Sequence, residues 1–175
     1  MSTSCPAETV LSPDVAYNGK NAAAVTYRIT VPETTAPGIH AVRIATPTGV
    51  STPLLFVVDD LPSAAEQKPN KTVAEAQELT LPIAVDGVVE ALSRHYFKFD
   101  AKAGQPISIE VLARRIGSPL DPLIRLLDAK GHELAYSDDD EALGADPRFA
   151  HTFQQAGDYV VEVRDIRYQG GTSSA

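Results

Sequence analysis

The alternation of apolar and polar residues along this chain predicts short β-strands separated by turns. Residues 24–31 alternate in this way, and one face of this strand would carry the apolar side chains Val25, Tyr27, Ile29 and Val31. Further strands are expected at 39–46 and 54–58, with segments rich in Pro, Gly and Thr between them. Because this spacing is typical of a β-sandwich, the pattern predicts a partial immunoglobulin-like β domain at 1–62, whose earlier strands lie outside this sequence, or else a small β-module that needs a neighbour.

The second half of the chain shows the same alternation, without a helix of normal length. Its apolar segments predict strands at 83–89, 96–99, 106–113, 123–127, 133–136, 148–153 and 159–163. The polar segment 63–82 is typical of an interdomain linker, and the spacing of Thr72 and Glu75 suits a short helical turn. The predicted fold class is therefore all-β, with a jelly-roll or β-sandwich domain at 83–175 after the partial immunoglobulin-like sandwich.

Residues 117–140 predict a β-hairpin with aspartates at both of its open ends. Asp121 precedes the first strand, and Asp138, Asp139 and Asp140 follow the second. Because the beginning and the end of an antiparallel hairpin lie side by side, these carboxylates are expected to be neighbours. Oxygen ligands suit a hard cation such as Ca²⁺. The sequence therefore predicts a candidate calcium site at Asp121, Asp138, Asp139 and Asp140, with Asp128 and Asp146 in the wider acidic group.

Two other interpretations of this acidic group stay open. The aspartates could be turn residues that cap backbone amides or pair with nearby arginines, at Arg114, Arg115, Arg125 and Arg148. They could also be the acid and base of a hydrolase, although the chain has no Gly-x-Ser-x-Gly motif and no metal-binding histidine spacing. The chain is therefore expected not to be an enzyme, and Ca²⁺ is the one cofactor that its sequence suggests.

Charge and composition narrow the range of partners. The net charge of −8 and the isoelectric point near 4.9 would repel nucleic acid and anionic membrane surfaces. No apolar segment approaches the ~20 residues that cross a bilayer, so membrane insertion is not expected. No signal peptide is visible at the N-terminus, so an exported parent protein would contain this chain as an internal fragment.

Several short motifs occur in a fixed order between residues 64 and 170. They are Glu66–Asn70, Leu81-Pro82, Val85-Asp86-Gly87, Tyr96–Phe99, Ala103-Gly104-Gln105, Gly117–Pro122, Leu126-Leu127-Asp128, Gly131, Asp138-Asp139 and Gly157-Asp158-Tyr159. In this order they resemble the bacterial pre-peptidase C-terminal domain. The resemblance implies a jelly-roll β-sandwich appended to secreted proteases and other large exported bacterial proteins. Upstream, residues 37–40 and 46–51 are similar to the end of an immunoglobulin-like (IPT/TIG-like) module.

The same resemblance bears on calcium. Some members of the family, notably the collagen-binding domains of clostridial collagenases, bind calcium near the linker through carboxylates. Three residues here match that pattern: Glu66, Asn70 and Asp86. Three others stand where carboxylates are expected: Lys68, Lys71 and His95. Because calcium takes about six to eight oxygen ligands and favours negative ones, the resemblance implies that this linker site is lost or much weakened.

The expected function is that of a non-catalytic accessory or binding module in a large exported bacterial protein. Its partners would be neighbouring domains of the parent protein, or an extracellular protein or polysaccharide, and its location extracellular, cell-surface or periplasmic. A calcium-stabilised binding domain is the alternative, and a carboxylate-dependent hydrolase is less favoured. Four tyrosines would line either a binding face or the core: Tyr96, Tyr136, Tyr159 and Tyr168.

Overall fold

The computed structural model describes residues 2–20 and 24–171 and divides the chain into two compact units, Met1–Asp60 and Leu61–Ala175. Within the described residues there is no helix long and apolar enough to cross a membrane.

The first unit consists of short antiparallel strands. They are β1 (Ser2–Thr3), β2 (Glu8–Leu11), β3 (Tyr27–Thr30), β4 (Gly38–Arg43), β5 (Ala45–Thr46), β6 (Gly49–Val50) and β7 (Leu54–Val58). Strand β4 lies between β1 and β7, while β2 pairs with β3 and β5 with β6. Among the residues described in this unit, the buried apolar side chains are Cys5 and Val42. The first unit therefore has little core of its own.

The second unit holds the larger sheet. Its strands are β8 (Ser63–Ala65), β9 (Gln77–Glu78), β10 (Ala84–Asp86), β11 (Arg94–Ala101), β12 (Pro106–Glu110), β13 (Pro122–Asp128), β14 (Glu133–Ser137), β15 (Arg148–Thr152) and β16 (Gly157–Asp165). Five of them form a sheet in the order β14-β13-β16-β11-β9, while β12 pairs with β15 and β8 with β10. The prediction of an all-β fold is confirmed.

The core lies between the five-stranded sheet and the β12–β15 pair. Phe99, Leu126 and Val161 are buried on one face of the sheet and form a cluster with Phe153 and Tyr159. The rings of Phe153 and Tyr159 have centroids 4.2 Å apart. Side chains of the β12–β15 pair pack against this cluster, namely Ile107, Ile109 and Phe149. Because successive side chains of a strand point to opposite faces, the alternation seen in the sequence yields this sandwich core, and the sandwich prediction is confirmed.

The predicted hairpin is present as β13 and β14. These strands pair antiparallel, with Ile124 opposite Ser137 and Leu126 opposite Ala135. In the turn, Asp128 Oδ1 accepts hydrogen bonds from the backbone N–H groups of Lys130 and His132, each at 2.8 Å. The hairpin prediction is confirmed, and Asp128 is the turn residue.

The segment 63–82 differs from the linker that its polar composition predicts. It contributes β8, which pairs with β10, and β9, which pairs with β11, both within the second unit. The Asn70 side chain is fully buried, and its backbone carbonyl accepts a hydrogen bond from the Tyr96 N–H. The expected helical turn is a 3₁₀ turn at Val73–Glu75. Strands of two or three residues leave no periodic signal, so composition alone indicated a linker.

Replacing Gly170 with alanine is expected to destabilise the second unit more than replacing Gly131 with alanine. Both glycines have a left-handed φ, +78° and +84°, so each substitution carries about 1–2 kcal/mol of backbone strain. A Cβ at Gly170 would also lie 2.5 Å from the backbone nitrogen of Ala91, whereas at Gly131 it meets no atom within 4 Å. Urea unfolding of the two variants measures the difference, and equal losses would contradict the close approach.

Candidate functional site

The hairpin brings two of the four predicted metal ligands to one place. Asp121 and Asp139 line the same open cleft, together with Arg114, Ala145, Ile166 and Arg167. Arg167 Nη2 lies 3.3 Å from Asp121 Oδ2. A guanidinium therefore stands beside these carboxylates and offsets part of their negative charge.

The other two predicted ligands make different contacts. Asp140 Oδ1 accepts the backbone N–H of Ala142 at 2.9 Å, and Asp140 Oδ2 lies 3.3 Å from Arg148 Nη2. A hydrogen bond from Tyr136 to Asp138 raises the pKa of that tyrosine. Across the described residues, no group of three or more His, Cys, Asp or Glu side chains could hold a metal ion. Calcium at Asp121, Asp138, Asp139 and Asp140 stays a prediction, and the contacts favour the interpretation with paired arginines.

Asp146 makes the contacts of the second interpretation of the acidic group, in which aspartates cap backbone amides and pair with arginines. Its carboxylate is fully buried and accepts the backbone N–H groups of Ala113, Arg114 and Arg115, at 3.1, 2.7 and 3.1 Å. Arg115 Nε donates a further hydrogen bond at 2.8 Å. Burial would raise the pKa of Asp146, but the guanidinium and the backbone donors hold it below its ordinary value of 3.8. This carboxylate fixes the 3₁₀ turn Arg114–Ile116.

A second cluster lies where the family resemblance implies calcium ligands. The ring of His95 is 1% exposed and stands between Glu66, which Nδ1 contacts, and Glu90, whose Oε2 is 2.9 Å from Nε2. Each ring nitrogen of His95 thus faces one carboxylate. Asn70 Nδ2 donates to Glu66 Oε1 at 2.8 Å, and the Val88 N–H donates to Glu66 Oε2 at 3.2 Å.

Two lysines complete this cluster. Lys68 forms an ion pair with Glu90, and Lys71 Nζ lies 3.5 Å from the same carboxylate. The hydrogen bond from Lys68 is the main reason that the pKa of Glu90 falls to about 2. Asp86, the third residue that matches the family pattern, is exposed on β10. Two lysine ammonium groups and a buried imidazole ring thus stand among the oxygen donors, and this donor set does not fit calcium.

Acid is expected to destabilise the second unit in the pH range below about 4.5. The folded-state pKa values of Glu66, Glu90 and Asp146 are lowered, so their ionised forms favour the folded state. This contribution is complete above their ordinary values, 4.5 for Glu and 3.8 for Asp, and is lost as the pH falls through the folded values, about 2 for Glu90. Urea midpoints measured from about pH 6 down to about pH 2 test this expectation. A midpoint that does not fall with pH would contradict it.

The face of the five-stranded sheet turned away from the core carries arginine and tyrosine. Across four strands, Tyr136, Arg125, Glu162 and Tyr96 lie directly opposite one another, in the order β14-β13-β16-β11. The Glu162 side chain is 2% exposed, and its Oε2 accepts hydrogen bonds from the Tyr96 hydroxyl at 3.1 Å and from Arg125 Nη1 at 3.3 Å. We call the exposed and half-buried residues here the arginine face: Arg94, Arg125, Tyr136, Arg164 and Tyr168.

The four tyrosines considered in the sequence therefore divide between core and surface. Tyr159 packs in the main core cluster, and Tyr96 is buried beneath the arginine face. Tyr136 is 48% exposed, and the ring of Tyr168 lies under the guanidinium groups of Arg94 and Arg164. The core interpretation is confirmed for Tyr159 and Tyr96, and a binding face at Tyr136 and Tyr168 stays a prediction.

Two comparisons with known proteins find similarities to this chain. Over 112 residues the chain is 36% identical to a probable subtilase-type serine protease of Deinococcus radiodurans; this covers 59% of the chain and 15% of that protease. The chain thus spans a small part of that relative's length. An immunoglobulin-like IPT/TIG module before the second unit is not shown and stays a prediction. Residues 93–165, within the five-stranded sheet and its neighbours, match the family described as the bacterial pre-peptidase C-terminal domain.

Proposed function

We propose that this chain is a non-catalytic accessory module of a larger exported bacterial protein, where it binds an extracellular protein or polymer or packs against neighbouring domains. The observation that carries this proposal is the match of residues 93–165 to a family described as a C-terminal domain. The probable protease that resembles the chain extends far beyond the 15% that the match covers. A catalytic domain in the parent protein would supply the chemistry, and export would place the module outside the cytoplasm, at the cell surface or in the periplasm.

The contacts of the acidic side chains support a non-catalytic role. General acid–base catalysis needs carboxylates that can reach a substrate and exchange protons with it. Asp146 is buried and accepts four hydrogen bonds, and Asp121 and Asp140 are paired with arginines. A hydrolase that uses this group is therefore the weakest of the three candidates.

The calcium-stabilised binding domain is the alternative. It draws support from the cleft that Asp121 and Asp139 share. Against it stand Arg114 and Arg167, which line the same cleft and would repel a divalent cation.

Deleting residues 61–171 from the parent protein tests the proposal. An accessory module leaves kcat/KM on a small soluble substrate unchanged, because the catalytic residues lie elsewhere, but lowers activity on a polymeric substrate or binding to it. Loss of activity on the small substrate, by a protein that stays folded, would contradict the proposal. In the isolated chain, substrate hydrolysis that is abolished by Asp139→Ala would favour the hydrolase.

A further inference from the structure

We propose that the arginine face binds a carboxylate-rich peptide segment of a protein partner. This inference rests on the proposed function and names the partner that this surface would take. The face combines guanidinium groups held in place by neighbours with one exposed tyrosine, Tyr136, and one half-buried tyrosine, Tyr168.

The sheet places two arginines directly opposite each other. Arg94 on β11 lies directly opposite Arg164 on β16. This pair is two residues along the strands from the row that contains Arg125 and Glu162. Like charges directly opposite each other on a sheet are destabilising. An anion bound between these two guanidinium groups would relieve that repulsion.

Glu162 supplies only part of the needed negative charge. Arg94, Arg125 and Arg164 all lie within 4.0 Å of this one carboxylate, and Arg125 also pairs with Glu133. Since Arg125 has Glu133 as a second partner, Arg94 and Arg164 share the single negative charge of Glu162. The Arg94 end of the face therefore keeps an excess of positive charge, on a chain whose net charge is −8.

Tyr168 holds the two opposed guanidinium groups in fixed positions. Its ring centroid lies 4.7 Å from Arg164 Cζ and 5.9 Å from Arg94 Cζ, and Arg94 Nη2 donates to its hydroxyl at 3.1 Å. Arg164 Nη1 also donates to the backbone carbonyls of Asp165 and Ile166, at 3.2 and 3.5 Å. Stacking on an aromatic ring leaves the N–H groups that make no such bond free to donate. Donors that are ordered before binding lose less conformational entropy when a ligand arrives.

The chemistry of the face favours a protein carboxylate over a sugar. A guanidinium donates two parallel hydrogen bonds to a carboxylate, which is the geometry that aspartate and glutamate offer. Arginine and tyrosine are the residues enriched at the centres of protein–protein interfaces. The chain has no tryptophan to stack against a sugar ring, which disfavours a carbohydrate ligand. Arg94, at 47% side-chain exposure, and Tyr136, at 48%, are accessible to such a partner.

Fluorescence anisotropy with a labelled oligoglutamate peptide tests the inference on the full 175-residue chain. We expect binding that weakens with added salt, and a loss of about tenfold in affinity for the Arg94→Gln/Arg164→Gln variant. The Arg94→Lys/Arg164→Lys variant keeps the charge but loses the two-bond geometry. Its affinity should therefore fall between that of the unmodified chain and that of the Arg94→Gln/Arg164→Gln variant. Circular dichroism checks that each variant is folded.

The matched control is Arg28→Gln/Arg43→Gln, which removes the same charge from the first unit and should leave the affinity unchanged. Equal losses in both double variants would mean that only net charge matters and would overturn the inference. So would failure of oligoglutamate to bind, or tighter binding of oligogalacturonate, a carboxylate-bearing sugar. None of these outcomes would change the expected result of deleting residues 61–171. That deletion tests the accessory-module proposal and does not depend on which face binds a partner.

Discussion

Replacing Asp146 with alanine is expected to lower the free energy of unfolding of the second unit by about 3–5 kcal/mol. The substitution removes the acceptor of three backbone N–H groups and of Arg115 Nε at a fully buried position. Donors left without a partner in the interior lose their hydrogen bonds to water without replacement. Urea unfolding followed by near-ultraviolet circular dichroism measures the loss, since Tyr96, Tyr136, Tyr159 and Tyr168 all lie in this unit.

Glu141→Ala is the matched control for Asp146. Glu141 is exposed, close in sequence to Asp146, and loses the same charge on substitution, so its effect should stay within about 0.5 kcal/mol. Asp146→Asn should recover little of the loss, because an amide offers one acceptor oxygen where the carboxylate offers two. If Asp146→Ala proved as mild as Glu141→Ala, the carboxylate would not be what fixes the 3₁₀ turn.

Replacing His95 with leucine is expected to destabilise the second unit by about 2–4 kcal/mol. Leucine fills a similar volume but leaves Glu66, whose side chain is 5% exposed, without the contact to the imidazole Nδ1. The partly exposed Glu90 keeps Lys68 and Lys71, so most of the penalty falls on Glu66. Thermal and urea unfolding both measure this loss.

Adding Glu66→Gln to His95→Leu should recover part of the lost stability, because the buried charge is then removed as well. His132→Leu is the surface control, since His132 pairs with Asp128 in an exposed turn and should change stability by less than about 0.5 kcal/mol. If the double variant were no more stable than His95→Leu, the loss would come from packing instead of from the uncompensated carboxylate.

Local periodicity predicted the strands better than it predicted their partners. Strand β7 begins and ends where the alternation predicts, at Leu54 and Val58, and the 117–140 segment forms the expected hairpin. The two strands of a hairpin are neighbours in sequence, so Asp121 and Asp139 could be predicted to approach each other. Strands β8 and β9 could not be predicted, because segments this short pair through backbone groups and carry no apolar pattern.

The hydrogen bonds and ion pairs of the arginine face join residues that are distant in sequence. Tyr96 and Glu162 are 66 residues apart in sequence, and Arg125 and Glu162 are 37 apart. Which strands become neighbours in a sandwich is decided by packing over the whole sheet, and one sequence does not show it. The acidic group could therefore be predicted from the sequence. The pairing of Arg167 with Asp121 and the arginine face could not, and only the structure shows them.

Thermal melting in millimolar calcium and in excess chelator tests the central claim most directly, namely that the carboxylates of the second unit are compensated by the chain's own cations. We expect the two melting curves to superimpose, since arginines, lysines and His95 already contact these carboxylates. An ion bound only to the folded state and present at about 100 times its Kd would add about 2.7 kcal/mol and raise the midpoint. A midpoint several degrees higher in calcium than in chelator would contradict the claim.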